Sequence, residues 1–223
     1  MCFISNKYNF IFIHIPKNGG TTVTDFFSSF SSPIDIEIGG TVLGELIQEE
    51  YKKKFGLSKH STYSELKSIL GDDLSSKYRF LAVIRDPIER FVSVFNFLKK
   101  WSTEDELLSD LKFYINSFGT IDNFISLGGY LNHETIPDRM FLPQSHWIAP
   151  IDGGKANIEI IQIESLSTGL KHFSQEYLPP YLEHLILPKL NETIRISKLS
   201  DISEANISRL LEYYVNDYSL RFL

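Results

Sequence analysis

The 223-residue sequence is short of cysteine, of net positive charge and of long hydrophobic runs, and each shortage removes a class of protein. Its one cysteine, Cys2, has no partner for an internal disulfide, which points to a reducing, cytoplasmic setting rather than a disulfide-stapled scaffold. A formal charge of −6 argues against a general nucleic-acid binder, which needs a basic surface. It leaves room for one anion held where a few cations are focused in a cleft. No stretch approaches the roughly 20 apolar residues that span a bilayer. The first apolar run starts near Tyr8, is broken by His14 and Pro16, and lacks a small-residue cleavage site, so no signal peptide is read there. Without secretion, the glycosylation patterns at Asn191-Glu-Thr and Asn206-Ile-Ser are chance matches. No repeat, low-complexity tract or linker divides the chain, which reads as one domain over 1–223.

Hydrophobic residues make up 43% of the chain and charged residues 22%, ordinary globular usage for a chain long enough to bury a substantial core. Three short runs are apolar on both faces: Tyr8–Ile15, Arg79–Ile84 and Ile158–Ile163. Such runs sit inside a parallel sheet covered by helices on both sides. Helical patterns separate them. One follows a glycine pair at Thr21–Phe30, and one is expected over Val42–Lys53. Thr62-Tyr-Ser-Glu65 is a capping box opening a helix through Leu70. Ile88, Phe91, Val92, Phe95 and Leu98 make a helical stripe behind Pro87. Further helices are expected over Thr103–Phe118 and Ser203–Tyr218, and Asp152-Gly-Gly154 reads as a turn before the third strand. Strands alternating with helices predict an α/β domain with a mainly parallel central sheet flanked by helices.

The stretch FIFIHIPKNGGTTV, residues 10–23, places one lysine and two glycines between a buried strand and a helix. Pro16 ends the strand because it has no N–H to donate. Gly19 and Gly20 permit a sharp turn and leave backbone N–H groups uncovered. With the positive end of the helix they suit a tetrahedral oxyanion. Lys17 adds a full charge, and Thr21 and Thr22 add hydroxyl donors. The plain alternative is a tight strand–turn–helix junction. The lysine precedes the glycines, so this is not the Gly-x-x-x-x-Gly-Lys-Ser/Thr loop of nucleoside triphosphatases. The stretch FLAVIRDPIERFVSVFNFL, residues 80–98, repeats the plan. Arg85 emerges at the strand end, where ligands bind in open α/β sheets. Arg90 lies near a helix start, where a cation needs a partner, and Ser93 follows eight residues after Arg85. Either Arg85 pairs with Asp86 or Glu89, or Arg85 and Ser93 hold a second anionic group.

The pair HIPKNGGTT and VIRDPIERFVSVF resembles the two cofactor motifs of the sulfotransferases, specifically the family-2 carbohydrate type that includes the heparan-sulfate 2-O-sulfotransferases. The resemblance continues weakly in KHSTYSELKSIL, FLPQSHWI, IIQIESL and LPKLNETI. It implies a P-loop-like three-layer fold and a donor, 3′-phosphoadenosine 5′-phosphosulfate (PAPS), that leaves as adenosine 3′,5′-bisphosphate. Lys17, Asn18, Gly19, Gly20, Thr21 and Thr22 would cradle the 5′-phosphosulfate, with Asn18 where threonine is more usual. Arg85, Ser93 and Arg90 would serve the 3′-phosphate. The acceptor would be a hydroxyl, on a saccharide or other small molecule.

Sulfuryl transfer asks for in-line positioning and for stabilisation of charge on the leaving phosphate, a task for Lys17 and fixed backbone donors. No metal is expected, and His133-Glu134 and His146 have no metal-ligand spacing around them. The acceptor must lose a proton, so a general base is needed. His60 stands before a helix start beside basic residues, which keeps an imidazole neutral, and the resemblance assigns it this role. Glu45 and Glu49 are alternatives. His14 reads as a core residue, while His172 and His184 have no supporting pattern. Lys52, Lys53, Lys54 and Lys59 read first as a solvated helix end and second as an entry for an anionic acceptor; Gln144 and His146 could also face substrate. Two other functions compete: a Mg²⁺-dependent nucleotide kinase with an irregular loop, and a nucleotide-binding module without catalysis.

Overall fold

The computed structural model describes residues 2–104, 108–150, 156–182 and 196–220. These form strands β1 (Cys2–Ser5), β2 (Phe10–Ile13), β3 (Ile36–Ile38), β4 (Arg79–Ile84) and β5 (Ile158–Gln162). The α-helices among them are α1 (Gly20–Ser28), α2 (Val42–Phe55), α3 (Tyr63–Ser75), α4 (Pro87–Glu104), α5 (Ser109–Ser117), α6 (Ile121–Ser126), α7 (Ser145–Ile148), α8 (Leu166–Tyr177), α9 (Glu204–Tyr213) and α10 (Val215–Ser219). The chain divides into two compact units. The first takes Met1–Arg85 and Gln144–Asn191, the second Asp86–Pro143 and Glu192–Phe222. The 152–154 turn, residues 105–107, His184 and the 187–194 segment lie outside the described residues.

All five strands belong to the first unit, in the order β3-β1-β2-β4-β5. β2 pairs parallel with β4, and β4 parallel with β5; β1 runs antiparallel to both of its neighbours. Four strands therefore point one way, and the expected mainly parallel α/β sheet is present. The pleat sends alternate side chains to opposite faces. On one face Phe3, Phe10, Phe12, Leu81, Val83 and Ile161 meet Val23, Phe26 and Phe27 of α1 and Leu170 and Phe173 of α8. Aromatic rings dominate this layer: Phe10 lies 4.8 Å from Phe27 and 5.3 Å from Phe173. Each buried ring contributes about 1.5–3 kcal/mol of burial, and a ring pair adds about 0.5–1.5 kcal/mol. On the opposite face Phe80 packs edge-on against Tyr63 of α3, with centroids 4.7 Å apart. These are the three layers of helix, sheet and helix.

β1 and β3 carry no expectation from sequence. β1 is only four residues long, yet it forms a hairpin with β2 in which Ser5 pairs with Phe10. Asn9 closes the turn at a φ of 56°, a left-handed conformation that asparagine tolerates better than most residues. β3 is three residues with only Ile38 buried, too short and too exposed for a periodic signal. α3 opens with the expected capping box: Thr62 Oγ1 accepts from Glu65 N and Glu65 Oε2 accepts from Thr62 N.

The second unit is helical. The α4 stripe Ile88, Phe91, Val92, Phe95 and Leu98 is buried as expected, and the core continues through Phe124, Phe141 and Tyr214. Phe91 is central, 4.7 Å from Phe141 and 5.6 Å from Tyr130. α4 continues through Glu104, so Thr103 belongs to its last turn and does not open the next helix. The single helix expected over Ser203–Tyr218 is two, separated at Tyr214, which leaves helical geometry at φ −100° and ψ 20° while its hydroxyl donates to Phe141 O at 2.7 Å.

Candidate functional site

β2 and β4 are neighbouring parallel strands, with Ile13 level with Ala82, so their carboxyl ends lie side by side. From β2 the chain passes through α1 to β3 on one side, and from β4 it goes on to β5 on the other. That reversal marks the crevice in which open α/β sheets bind ligands. The loop from Lys17 to Thr22 rises from one strand end, and Arg85 stands at the other.

The loop is built by conformation as much as by charge. Lys17 has a φ of 66° and Gly19 a φ of 73°, both left-handed. A lysine in that region costs about 1–2 kcal/mol, a strain that clusters at functional sites. Gly19 is the N-cap of α1; no side chain caps this helix and no acid lies in its first turn. The first N–H groups of a helix have no intrahelical acceptor, and here no side chain supplies one. Gly20 has a reason beyond the one expected. A Cβ at Gly20 would fall 1.7 Å from His14 Nε2, so the glycine makes room for that imidazole. Thr22 is buried and Thr21 exposed.

Asn18 turns inward. It is 1% exposed, and its Nδ2 donates to Val83 O at 2.8 Å and to Gln144 Oε1 at 2.6 Å. Its side-chain donors are therefore committed to the protein. Asn18 Oδ1 is buried with no partner among the described residues. Gln144, also 1% exposed, grips the Arg85 main chain at both ends: Oε1 accepts from Arg85 N at 2.9 Å and Nε2 donates to Arg85 O at 2.8 Å. It is thus placed against the strand tip, whereas His146 is exposed and stands edge-on to Trp147.

His60 lies beside His14, ring centroids 4.6 Å apart. His60 Nδ1 lies 2.9 Å from His14 O. A carbonyl can only accept, so Nδ1 carries the proton and Nε2 of the neutral ring carries the lone pair. Trp147 Nε1 donates to His60 O at 3.2 Å, fixing the main chain beneath the ring. His14 keeps some solvent-accessible edge but is densely surrounded by protein. Burial first, then nearby cationic groups, Lys59 and Lys17 among them and His60 whenever it is protonated, hold its pKa well below the usual 6.5. His14 lies past the end of β2 as a neighbour of His60, a proximity that the strand reading did not supply. Glu45 is engaged at its own helix start, accepting from Gly40 N at 2.8 Å, and Glu49 is exposed. Lys52, Lys53 and Lys54 occupy the solvated last turn of α2, with Lys54 paired to Glu50 at 3.2 Å.

The other motif residues fall in the second unit. Ser93 is half-buried on α4. Arg90 is fully buried; Nη1 donates to Leu142 O at 2.9 Å and Nη2 to Met140 O at 2.7 Å. Burial weakens its hold on its proton, while Tyr214 and Asp217 favour the charged form. The cation near the helix start thus has partners of its own. Cys2 is buried and its thiol is pushed up to about 12, far from a reactive thiolate. Among the described residues no cluster of three or more histidine, cysteine, aspartate or glutamate side chains could hold a metal ion, and no helix is long and apolar enough to cross a membrane.

A family model described as the sulfotransferase family matches residues 1–220. No curated protein and no solved structure matches the chain significantly.

Proposed function

Because the chain belongs to the sulfotransferase family, we propose that it moves the sulfuryl group of PAPS to a hydroxyl of a saccharide acceptor, using His60 as general base. The observation that carries this reading is the pairing of the Lys17–Thr22 loop with Arg85 on the adjacent ends of β2 and β4. The donor set suits a nucleotide with two anionic ends: one lysine and uncapped helix N–H groups on one side, one arginine on the other. When bound, PAPS supplies an activated sulfuryl group on a phosphate leaving group. Lys17 neutralises charge that grows on that phosphate, and the N–H groups at the start of α1 act as donors fixed before the reaction. Arg85 selects for the 3′-phosphate. The part given to Ser93 rests on the sequence motif, and Arg90 is read as a buried structural cation.

His60 holds a proton on Nδ1 against His14 O and takes the acceptor hydroxyl's proton on Nε2. The low pKa of His14 favours this arrangement, since an uncharged neighbour does not compete electrostatically with the imidazolium that forms. The saccharide acceptor follows from the resemblance to the carbohydrate type, and a cytoplasmic setting from the single cysteine. Residues 1–223 are taken as one functional domain because the family match runs through both units.

Calorimetry with adenosine 3′,5′-bisphosphate and with ADP tests the reading. The bisphosphate is expected to bind at least about tenfold tighter, the worth of one charge-assisted contact. Equal binding together with Mg²⁺-dependent ATP turnover selects the kinase. Tight bisphosphate binding without transfer from labelled PAPS to any saccharide in an acceptor screen selects the binding module. His60→Ala should lose turnover and keep bisphosphate affinity; full activity removes His60 as the base.

A further inference from the structure

We propose that Gln144 is a positioning residue that locks the Lys17–Thr22 loop to the tip of β4, so that the two anion contacts are held as one piece. Its functional consequence rests on the nucleotide reading above; the lock itself does not.

The side-chain amide of Gln144 imitates a pairing strand. It takes the Arg85 N–H on Oε1 and returns a hydrogen to Arg85 O from Nε2. The same Oε1 accepts from Asn18 Nδ2, and the second hydrogen of that nitrogen goes to Val83 O. Both lone pairs of Oε1 and both amide hydrogens of Asn18 are thereby used, which fixes the orientation of each side chain. Turning either amide over would set acceptor against acceptor or donor against donor. Asn18 and Gln144 are buried and Arg85 is half-buried, so losing Gln144 takes an acceptor from the Arg85 N–H and the Asn18 amide and a donor from the Arg85 carbonyl together.

The topology explains why such a lock is needed. The chain leaves the first unit after Arg85 and returns at Gln144. The residue ending β4 and the residue re-entering the unit are thus tied to each other, and Gln144 passes the tie on to the loop. The segment continues into α7, where Trp147 holds the main chain of His60. Loop, arginine and base are therefore all anchored by one short stretch, Gln144–Trp147.

The test uses the full chain and two variants. Gln144→Met keeps volume and removes every bond; Asn18→Leu cuts only the loop's side of the lock. Amide hydrogen exchange is measured without ligand, and calorimetry with adenosine 3′,5′-bisphosphate and ADP follows. Gln144→Met should speed exchange both at Arg85 and across residues 17–22 while β1 and the centre of β2 keep wild-type rates. Asn18→Leu should speed the loop and leave Arg85 protected. In binding, Gln144→Met should weaken the bisphosphate by about tenfold and ADP much less. Combined with Arg85→Ala it should add little, since groups acting as a unit are non-additive. Wild-type exchange over residues 17–22 in Gln144→Met overturns the lock. Should that variant not fold, wild-type exchange of the loop in Asn18→Leu overturns it equally. Additive losses with Arg85→Ala overturn the effect on the 3′-phosphate. Equal binding of bisphosphate and ADP by the wild-type protein overturns the cofactor reading, while the exchange rates still decide the lock.

Discussion

The junctions β2–α1 and β4–α4 are written to one plan, a buried strand, a polar turn and a helix, yet they treat the first N–H groups of their helices in opposite ways. α1 starts at a left-handed glycine with no side-chain cap and no acid in its first turn. α4 is capped by its own Asp86, whose Oδ1 accepts from Ile88 N and Glu89 N at 3.0 Å each, and Glu89 adds a negative charge to the first turn. A helix start serves an external anion only if the chain leaves it unserved. The first junction therefore offers main-chain donors, and the second offers the Arg85 side chain. Two motifs that look alike as strings thus build their helix starts by different physics, and under the proposed function each would meet an anion in its own way.

The largest effect should come from Lys17, the one charged side chain in the uncapped junction. Lys17→Ala is expected to lower turnover by about 100- to 1,000-fold, the usual loss when a preorganised group facing transition-state charge is removed. Single-turnover kinetics with labelled PAPS would show it, with bisphosphate affinity falling far less. If affinity and turnover fell by the same factor, Lys17 would be a binding residue, and the main-chain N–H groups would carry the charge stabilisation alone.

Gly20→Ala probes what the glycine pair is for. A Cβ there overlaps the His14 imidazole, which cannot swing freely between Gly20 and the His60 ring. Such overpacking costs about 1–3 kcal/mol, so a lowered denaturant midpoint is expected. Gly20→Ala with His14→Ala should recover much of it. No recovery would mean that the glycine serves the main chain and not its neighbour.

How much of this was legible in the sequence depends on the range of the signal. β4, the α4 stripe and the α3 capping box are local patterns and appear where the residues put them. β1 and β3 are too short to show a period, and their pairing is settled by contacts distant in sequence. At the site, Lys17, Arg85 and His60 could be singled out because each stands at a strand end or helix start. Gln144 could not be given its place. It is an uncharged residue whose importance comes from meeting Asn18, 126 positions away, and Arg85, 59 away. The polar Pro-Gln-Ser turn before a buried tryptophan was the available hint, and only the fold shows which way the glutamine points. His14 was legible in part: its ring does pack inside the protein, against Phe12 and His60, but β2 ends at Ile13, so the strand alternation could not show its nearness to His60.

His14 also makes a pH-dependent contribution. Its folded pKa lies below the ordinary value of 6.5, so the folded state resists a proton that the unfolded chain accepts. Stability from this source is complete above 6.5 and is lost as pH falls below it, by at most about 1.4 kcal/mol per pH unit. Urea unfolding between about pH 7.5 and 5.5 should show this decline, and His14→Gln should flatten it. An unchanged slope would assign the acid sensitivity to other groups.

The smallest effect should come from the capped junction, and it bears most directly on the contrast. Asp86→Ala removes the α4 cap and should cost about 1 kcal/mol of stability, read as a shift in denaturant midpoint. Asp86→Asn keeps an oxygen that can accept from Ile88 N and Glu89 N, and should restore most of that stability. Bisphosphate affinity should stay within about twofold of wild type in Asp86→Asn, because the carboxylate accepts from the helix's own amides at Ile88 and Glu89. Tighter binding in that variant would mean that the negative charge repels a bound phosphate, and weaker binding that the carboxylate helps to orient Arg85. Either result would bring the start of α4 into anion recognition, and the two junctions would then differ in degree rather than in kind.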